Sequence, residues 1–178
     1  MYSGIECICV VGNANFCSDA EIGHSDKSSG HAWNMVCING KHAHIDVTWD
    51  ISLSQTSKFY RYDYFCIPDV DSCEDHIMES DWKYPKCNRN SGLNYFEDVG
   101  SLIKGLEHLR TYMKQELKKR PDYLYFKVYR EPNLPNDLNE KIDEWFNCFL
   151  KKNLNCSWSY YSIINKEQLV FLYKLAYL

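Results

Sequence analysis

The hydrophobic and polar positions change period several times along the chain. Ile5–Val11 is a short apolar, β-prone run ending at Gly12, the pattern of a largely buried strand. Asn13–Gly30 is rich in Ser, Asp, Gly and Asn and predicts a surface loop. His31–Ile38 and Lys41–Trp49 are two further β-prone runs, separated by Asn39-Gly40, a dipeptide favoured in two-residue type I′ turns. Residues 50–96 hold no long period; Pro68, Pro85 and Gly92 interrupt them, and they predict loops with short strands or helical turns. Ser101–Lys119 carries Leu102, Ile103, Leu106, Leu109, Met113 and Leu117 as one stripe, a helix stopped by Lys118-Lys119-Arg120-Pro121. Tyr123–Arg130 alternates as a strand. Asp137–Lys152 is a second amphipathic helix, with Asp137 and Glu140 spaced as a capping box. Ser157–Ile164 and Leu169–Tyr177 predict two final strands. The C-terminal region therefore spells α-β-α-β-β, and the fold class is α+β.

The Asn39-Gly40 turn fixes a register. With Ile38 facing Lys41, His31 falls opposite Thr48 and Trp33 opposite Asp46. Alternation then puts His31, Trp33, Met35, Cys37, His42, His44, Asp46 and Thr48 on one face. The other face, with Ala32, Asn34, Val36, Ile38, Ala43, Ile45 and Val47, is nearly all apolar and reads as core. His31 and Asp46 come out as diagonal neighbours across the strands, within reach of a side-chain hydrogen bond.

Composition narrows the function classes. The 178 residues carry a net charge of −4, so no basic excess exists to neutralise phosphates, and nucleic acid is not the expected partner. No uncharged apolar run is long enough for a membrane helix, and no signal peptide is visible, so the expected compartment is cytoplasmic. Nine cysteines occur without any C-x-x-C spacing, which predicts reduced, mostly buried thiols rather than a zinc ribbon. Cys37, His42 and His44 share the polar hairpin face at a spacing that metal ligands use, but no fourth ligand stands out. The expectation is no metal and no cofactor.

The segment His31-Ala32-Trp33-Asn34-Met35-Val36, the turn at Asn39-Gly40, and Ile45-Asp46-Val47-Thr48-Trp49-Asp50 resemble the transglutaminase-like superfamily. Gly4-Ile5-Glu6-Cys7 with Val10-Val11-Gly12 is similar to the strand that precedes the family's histidine loop. Tyr64-Phe65, Asp75-His76, Trp82-Lys83-Tyr84-Pro85-Lys86-Cys87 and Asn94-Tyr95-Phe96 resemble, more loosely, a tail of bacterial members. The resemblance divides the chain into a transglutaminase-like domain over 1–97 and a C-terminal α+β region over 98–178.

What the resemblance implies is a papain-like antiparallel sheet domain and a Cys-His-Asp triad acting on a carboxamide or amide, with peptide or protein as substrate. His31 maps to the general base and Asp46 to its orienter. The nucleophile is not found. The family places it on a helix before the strand that begins here at Gly4, so the expected form is a domain truncated before that helix and inactive unless complemented. Cys7 and Cys9 lie on the strand and Cys17 in the loop; none sits in a matching motif. The alternative is a non-catalytic protein-binding module that uses the vacated groove. A missing helix would also leave Trp33 and Met35 uncovered, with self-association through that exposed hairpin face.

Overall fold

The computed structural model describes residues 4–15, 29–153 and 157–178. The architecture is α+β, with one sheet in each of two units: Met1–Gly100 together with Asn165–Gln168, and Ser101–Ile164 together with Leu169–Leu178. Among the described residues, no helix is long and apolar enough to cross a membrane.

In the first unit, β1 (Glu6–Ala14) runs antiparallel to β2 (Ser29–Ile38), from Glu6 opposite Cys37 to Ala14 opposite Ser29. The loop expected from Asn13 is thus shorter at both ends than its polar composition implies; residues 16–28 lie outside the described residues. β2 turns into β3 (Lys41–Ile45) through Asn39 and Gly40, whose φ values of 53° and 75° are the positive pair that a type I′ turn requires. Ile38 faces Lys41 and Cys37 faces His42, the register read from the sequence.

The strand expected to continue to Trp49 stops at Ile45. Asp46 instead caps α1 (Val47–Ser57), its carboxylate accepting the Trp49 N–H at 3.0 Å. Val47, Thr48 and Trp49 favour strands, yet a capping carboxylate outweighs that weak preference and leaves no Thr48 for His31 to face. Poor helix formers continue through α1, where Ser52, Ser54 and Thr56 donate to carbonyls four residues back. Lys58, left-handed at φ 51°, closes the helix.

Short elements follow: β4 (Phe65–Ile67), α2 (Asp69–Ser72), β5 (His76–Met78), a 3-10 turn at Arg89–Ser91, and α3 (Tyr95–Asp98). The sheet order is β4-β3-β2-β1-β5, so β5 lies along the free edge of β1, with Ala14 opposite His76. Both faces of the sheet are packed. Val10, Trp33, Met35 and Cys87 form one cluster; Val36, Ala43 and Cys66 form another on the opposite side. Trp33 and Met35 are 3% and 0% exposed, so the open hairpin face expected for self-association is covered at both, by residues that include Tyr84 and Cys87. The face read as core is only partly so, since Ala32 and Val47 are exposed.

The second unit holds β6 (Leu102–Ile103), α4 (Gly105–Lys118), β7 (Tyr123–Val128), α5 (Leu138–Asn153), β8 (Trp158–Asn165) and β9 (Val170–Tyr177), in sheet order β6-β7-β9-β8. The first helix begins later than its apolar stripe suggests, because Leu102 and Ile103 pair with Lys127 and Val128 as a parallel edge. Those two residues fit both a helix stripe and a short strand, and pairing decides. Leu109, Met113 and Leu117 of α4 and Ile142, Phe146 and Leu150 of α5 bury their stripes on Phe126, Phe171 and Tyr173.

Candidate functional site

Three elements deliver the site. β2 supplies His31, the cap of α1 supplies Asp46, and β5 supplies His76. His31 Nε2 donates to Asp46 Oδ2 at 2.5 Å, and His76 Nε2 reaches the same oxygen at 3.1 Å. The other Asp46 oxygen is held by the Trp49 N–H, so the helix cap that ends β3 also orients the carboxylate. The pairing of His31 with Asp46 read from the hairpin is present, although the backbone route to it is a helix start rather than a strand.

Indole rings wall the cluster. Trp49 lies 5.2 Å from the His31 ring and 4.4 Å from the His76 ring, and Trp33 lies 6.0 and 4.7 Å from them. The His31 side chain is 18% exposed while those of Asp46 and His76 are almost fully buried. Burial works to raise the Asp46 pKa, but the bonds from His76, His31 and the Trp49 N–H outweigh it and hold the carboxyl below its ordinary value. Burial likewise works against charge on His76, and the two carboxylates bonded to it overcome this, raising its pKa. With Asp46 ionised and accepting from Nε2, a neutral His31 keeps its lone pair on Nδ1. Among the described residues Nδ1 has no hydrogen-bond partner, so it is the nitrogen able to take a proton.

Behind His76 runs a buried polar chain. His76 Nδ1 bonds Asp75 Oδ1 at 2.5 Å, and Asp75 Oδ2 accepts from the Tyr64 hydroxyl at 2.7 Å and from Gln168 Nε2 at 3.0 Å. Asn165 Nδ2 donates to the Tyr64 oxygen and to Asp63 Oδ2, and Asp63 is bound at both oxygens by Arg61. Asp50, beside Asp46 on α1, accepts the Tyr64 N–H at 2.9 Å. Burial pushes its pKa up to about 8 despite that bond.

His76 was not among the site residues read from the sequence. The only trace of it is the adjacent Asp75-His76 pair in a segment without period. Its link to Asp46 spans 30 positions and depends on a three-residue strand pairing with β1.

His44, expected beside Cys37 and His42, is instead 1% exposed and joined to other partners. Its Nε2 bonds Asp69 Oδ1 at 2.9 Å, and its Nδ1 receives the Trp33 indole N–H at 3.0 Å. Asp69 also accepts the Cys87 N–H. An indole nitrogen only donates, so His44 Nδ1 must be an acceptor and Nε2 carries the hydrogen. Burial lowers the His44 pKa, in keeping with a neutral ring.

Of the three cysteines nearest the expected nucleophile position, Cys7 and Cys9 do not reach His31. Val10 stands opposite Trp33, whereas Cys7 and Cys9 stand opposite Val36 and Asn34, so alternation puts both thiols on the face away from His31. Cys17 lies outside the described residues. No described cysteine hydrogen-bonds His31. Compared with known proteins, the chain matches no family model, and no curated protein matches it in sequence.

Proposed function

We propose that the first unit carries the base and orienter of a transglutaminase-like, papain-type acyl-transfer site, inactive until a thiol is brought to His31. One observation carries this reading: the hydrogen bond from His31 Nε2 to a buried, backbone-anchored Asp46, which leaves Nδ1 as the basic nitrogen. In this reading Nδ1 takes the thiol proton, and the thiolate attacks a carboxamide carbon of a peptide or protein. The imidazolium then protonates the departing ammonia or amine, and water or a second amine resolves the thioester. Asp46 supports the imidazolium that forms and fixes the ring orientation. The thiol comes from outside the described residues of the first unit, where Cys17 lies, or from another chain.

The test supplies the missing group. Cleavage of a p-nitrophenyl ester is followed with added 2-mercaptoethanol for the wild type, His31→Gln and Asp46→Asn. A thiol-dependent rate in the wild type that both substitutions abolish supports the dyad. Equal rates in all three remove it. Iodoacetamide labelling resolved by peptide mass asks whether the chain has its own nucleophile. Fast labelling of Cys17 that slows in His31→Gln identifies one, and uniformly slow labelling assigns the thiol to another chain.

A further inference from the structure

Among the described residues of the first unit, two clusters bring three metal-ligating side chains within 4.8 Å of one another: His31, Asp46 and His76, and His44, Asp69 and Cys87. Hydrogen-bond valence separates them. A metal on His44 Nε2 would move the ring hydrogen to Nδ1, where it would meet the Trp33 N–H, donor against donor. The second cluster is therefore wired against a cation.

The first is wired the other way. His76 Nδ1 faces Asp75 Oδ1, an acceptor that keeps a hydrogen on Nδ1, so Nε2, which donates to Asp46 Oδ2 here, is the nitrogen an ion would take by displacing its proton. A carboxylate behind a histidine is the outer-shell partner that metal-binding imidazoles use. Asp75 is itself fixed by Tyr64 and Gln168, so this support is rigid. The Trp49 N–H holds Asp46 Oδ1 and leaves Oδ2 for a ligand bond. Both Nε2 atoms converge on that oxygen from separate strands.

We propose that His31 Nε2, Asp46 Oδ2 and His76 Nε2 bind one divalent transition-metal ion of the Zn2+ or Co2+ class, with water in the fourth position. Two imidazoles and one carboxylate suit such borderline ions and disfavour Mg2+ and Ca2+, which take oxygen donors. Tetrahedral bonds of about 2.0–2.1 Å set neighbouring donors roughly 3.3 Å apart. His31 must therefore swing outward from its 2.5 Å contact, and its partly exposed ring is the one of the three with room to do so. The site needs lone pairs and no thiol, so it stands independently of the acyl-transfer reading. The two uses exclude each other, because an ion on His31 Nε2 places the hydrogen on Nδ1.

Co2+ titrated into the full chain, with a phosphine reductant and no chelator, tests the site. The expected result is one equivalent bound, with the visible bands of four-coordinate Co2+ and no thiolate-to-metal absorption in the near ultraviolet. His31→Gln, at a partly exposed position, loses the bands at stoichiometric metal, and Asp75→Asn weakens binding by about 10–100-fold. Cys87→Ser leaves them unchanged. Absence of bands in the wild type overturns the proposal. So does a thiolate band at the first equivalent, or equal affinity in His31→Gln. Far-UV circular dichroism confirms that each variant is folded, and ester cleavage plays no part in the readout.

Discussion

A Cβ built on Gly12 would lie 2.1 Å from the carbonyl oxygen of Ile77, the residue that follows His76. Gly12 stands opposite His31 on one side and Met78 on the other, so the missing side chain lets β5 close on β1 beside the site. Gly12→Ala must displace backbone, since a carbonyl has no rotamer to yield. The expected loss is about 1–3 kcal/mol, in the range of overpacked sites. Urea unfolding reads it as a lower midpoint at unchanged slope. An unmoved midpoint would show that the strands have slack.

Asp50 gives a pH dependence of stated sign. Its folded pKa, pushed by burial to about 8, lies above the ordinary 3.8, so between those values the native state holds a proton that the unfolded chain has released. Stability from this group is therefore present at low pH and lost as pH rises through that window, by at most roughly 1.4 kcal/mol per unit. Asp50→Asn keeps an acceptor for the Tyr64 N–H and removes the titration. Its stability relative to wild type should rise between pH 5 and pH 8 in paired urea titrations. Parallel curves for the two proteins would contradict the assignment.

Arg61 and Asp63 form a two-bond ion pair with both side chains at 0% exposure. Arg61→Met leaves the Asp63 charge buried without the two-bond guanidinium that faces it, although Asn165 still donates to it, and should cost about 3–5 kcal/mol. Arg61→Met combined with Asp63→Leu removes that buried charge and should recover part of that loss. A double-mutant cycle in denaturant decides, and strict additivity would deny the coupling.

The His44 tautomer is open to direct observation. Long-range 1H–15N correlation spectra should show an Nε2-protonated, neutral ring at pH 7–8, held by the Trp33 donor on Nδ1 and the Asp69 acceptor on Nε2. Trp33→Phe removes the donor and frees Nδ1 to be protonated, so the ring should then change its nitrogen shifts as the pH falls. A His44 that shows the Nδ1-protonated form in the wild type would overturn the argument against metal at that cluster.

The chain announces the His31–Asp46 pair because everything that joins them is local. Asn39-Gly40 dictates the turn, the turn dictates register, and period-two alternation does the rest. It conceals the switch at Asp46, since Val47, Thr48 and Trp49 are strand formers and a capping carboxylate has no periodic signature. His76 is hidden for a different reason. A three-residue strand carries no pattern, and its place at the edge of β1 depends on a close approach at Gly12 that hydropathy does not register. Asn165 and Gln168 are more remote still, about a hundred positions from the side chains they bond. Hydropathy reads the stripes of α4 and α5 well because burial on one face is itself periodic.

The turn between β8 and β9 sets an order of events during synthesis. Asn165–Gln168 belong to the first unit, where Asn165 bonds Asp63 and Tyr64, and Gln168 bonds Asp75 and the Asp71 carbonyl. Residues up to Gly100 leave the ribosome before Asn165 and Gln168 do, so these four bonds can form only once residue 168 has emerged. The polar chain behind His76 is thus completed after translation of its own sheet has ended, and a nascent product stalled short of residue 168 would carry it unfinished.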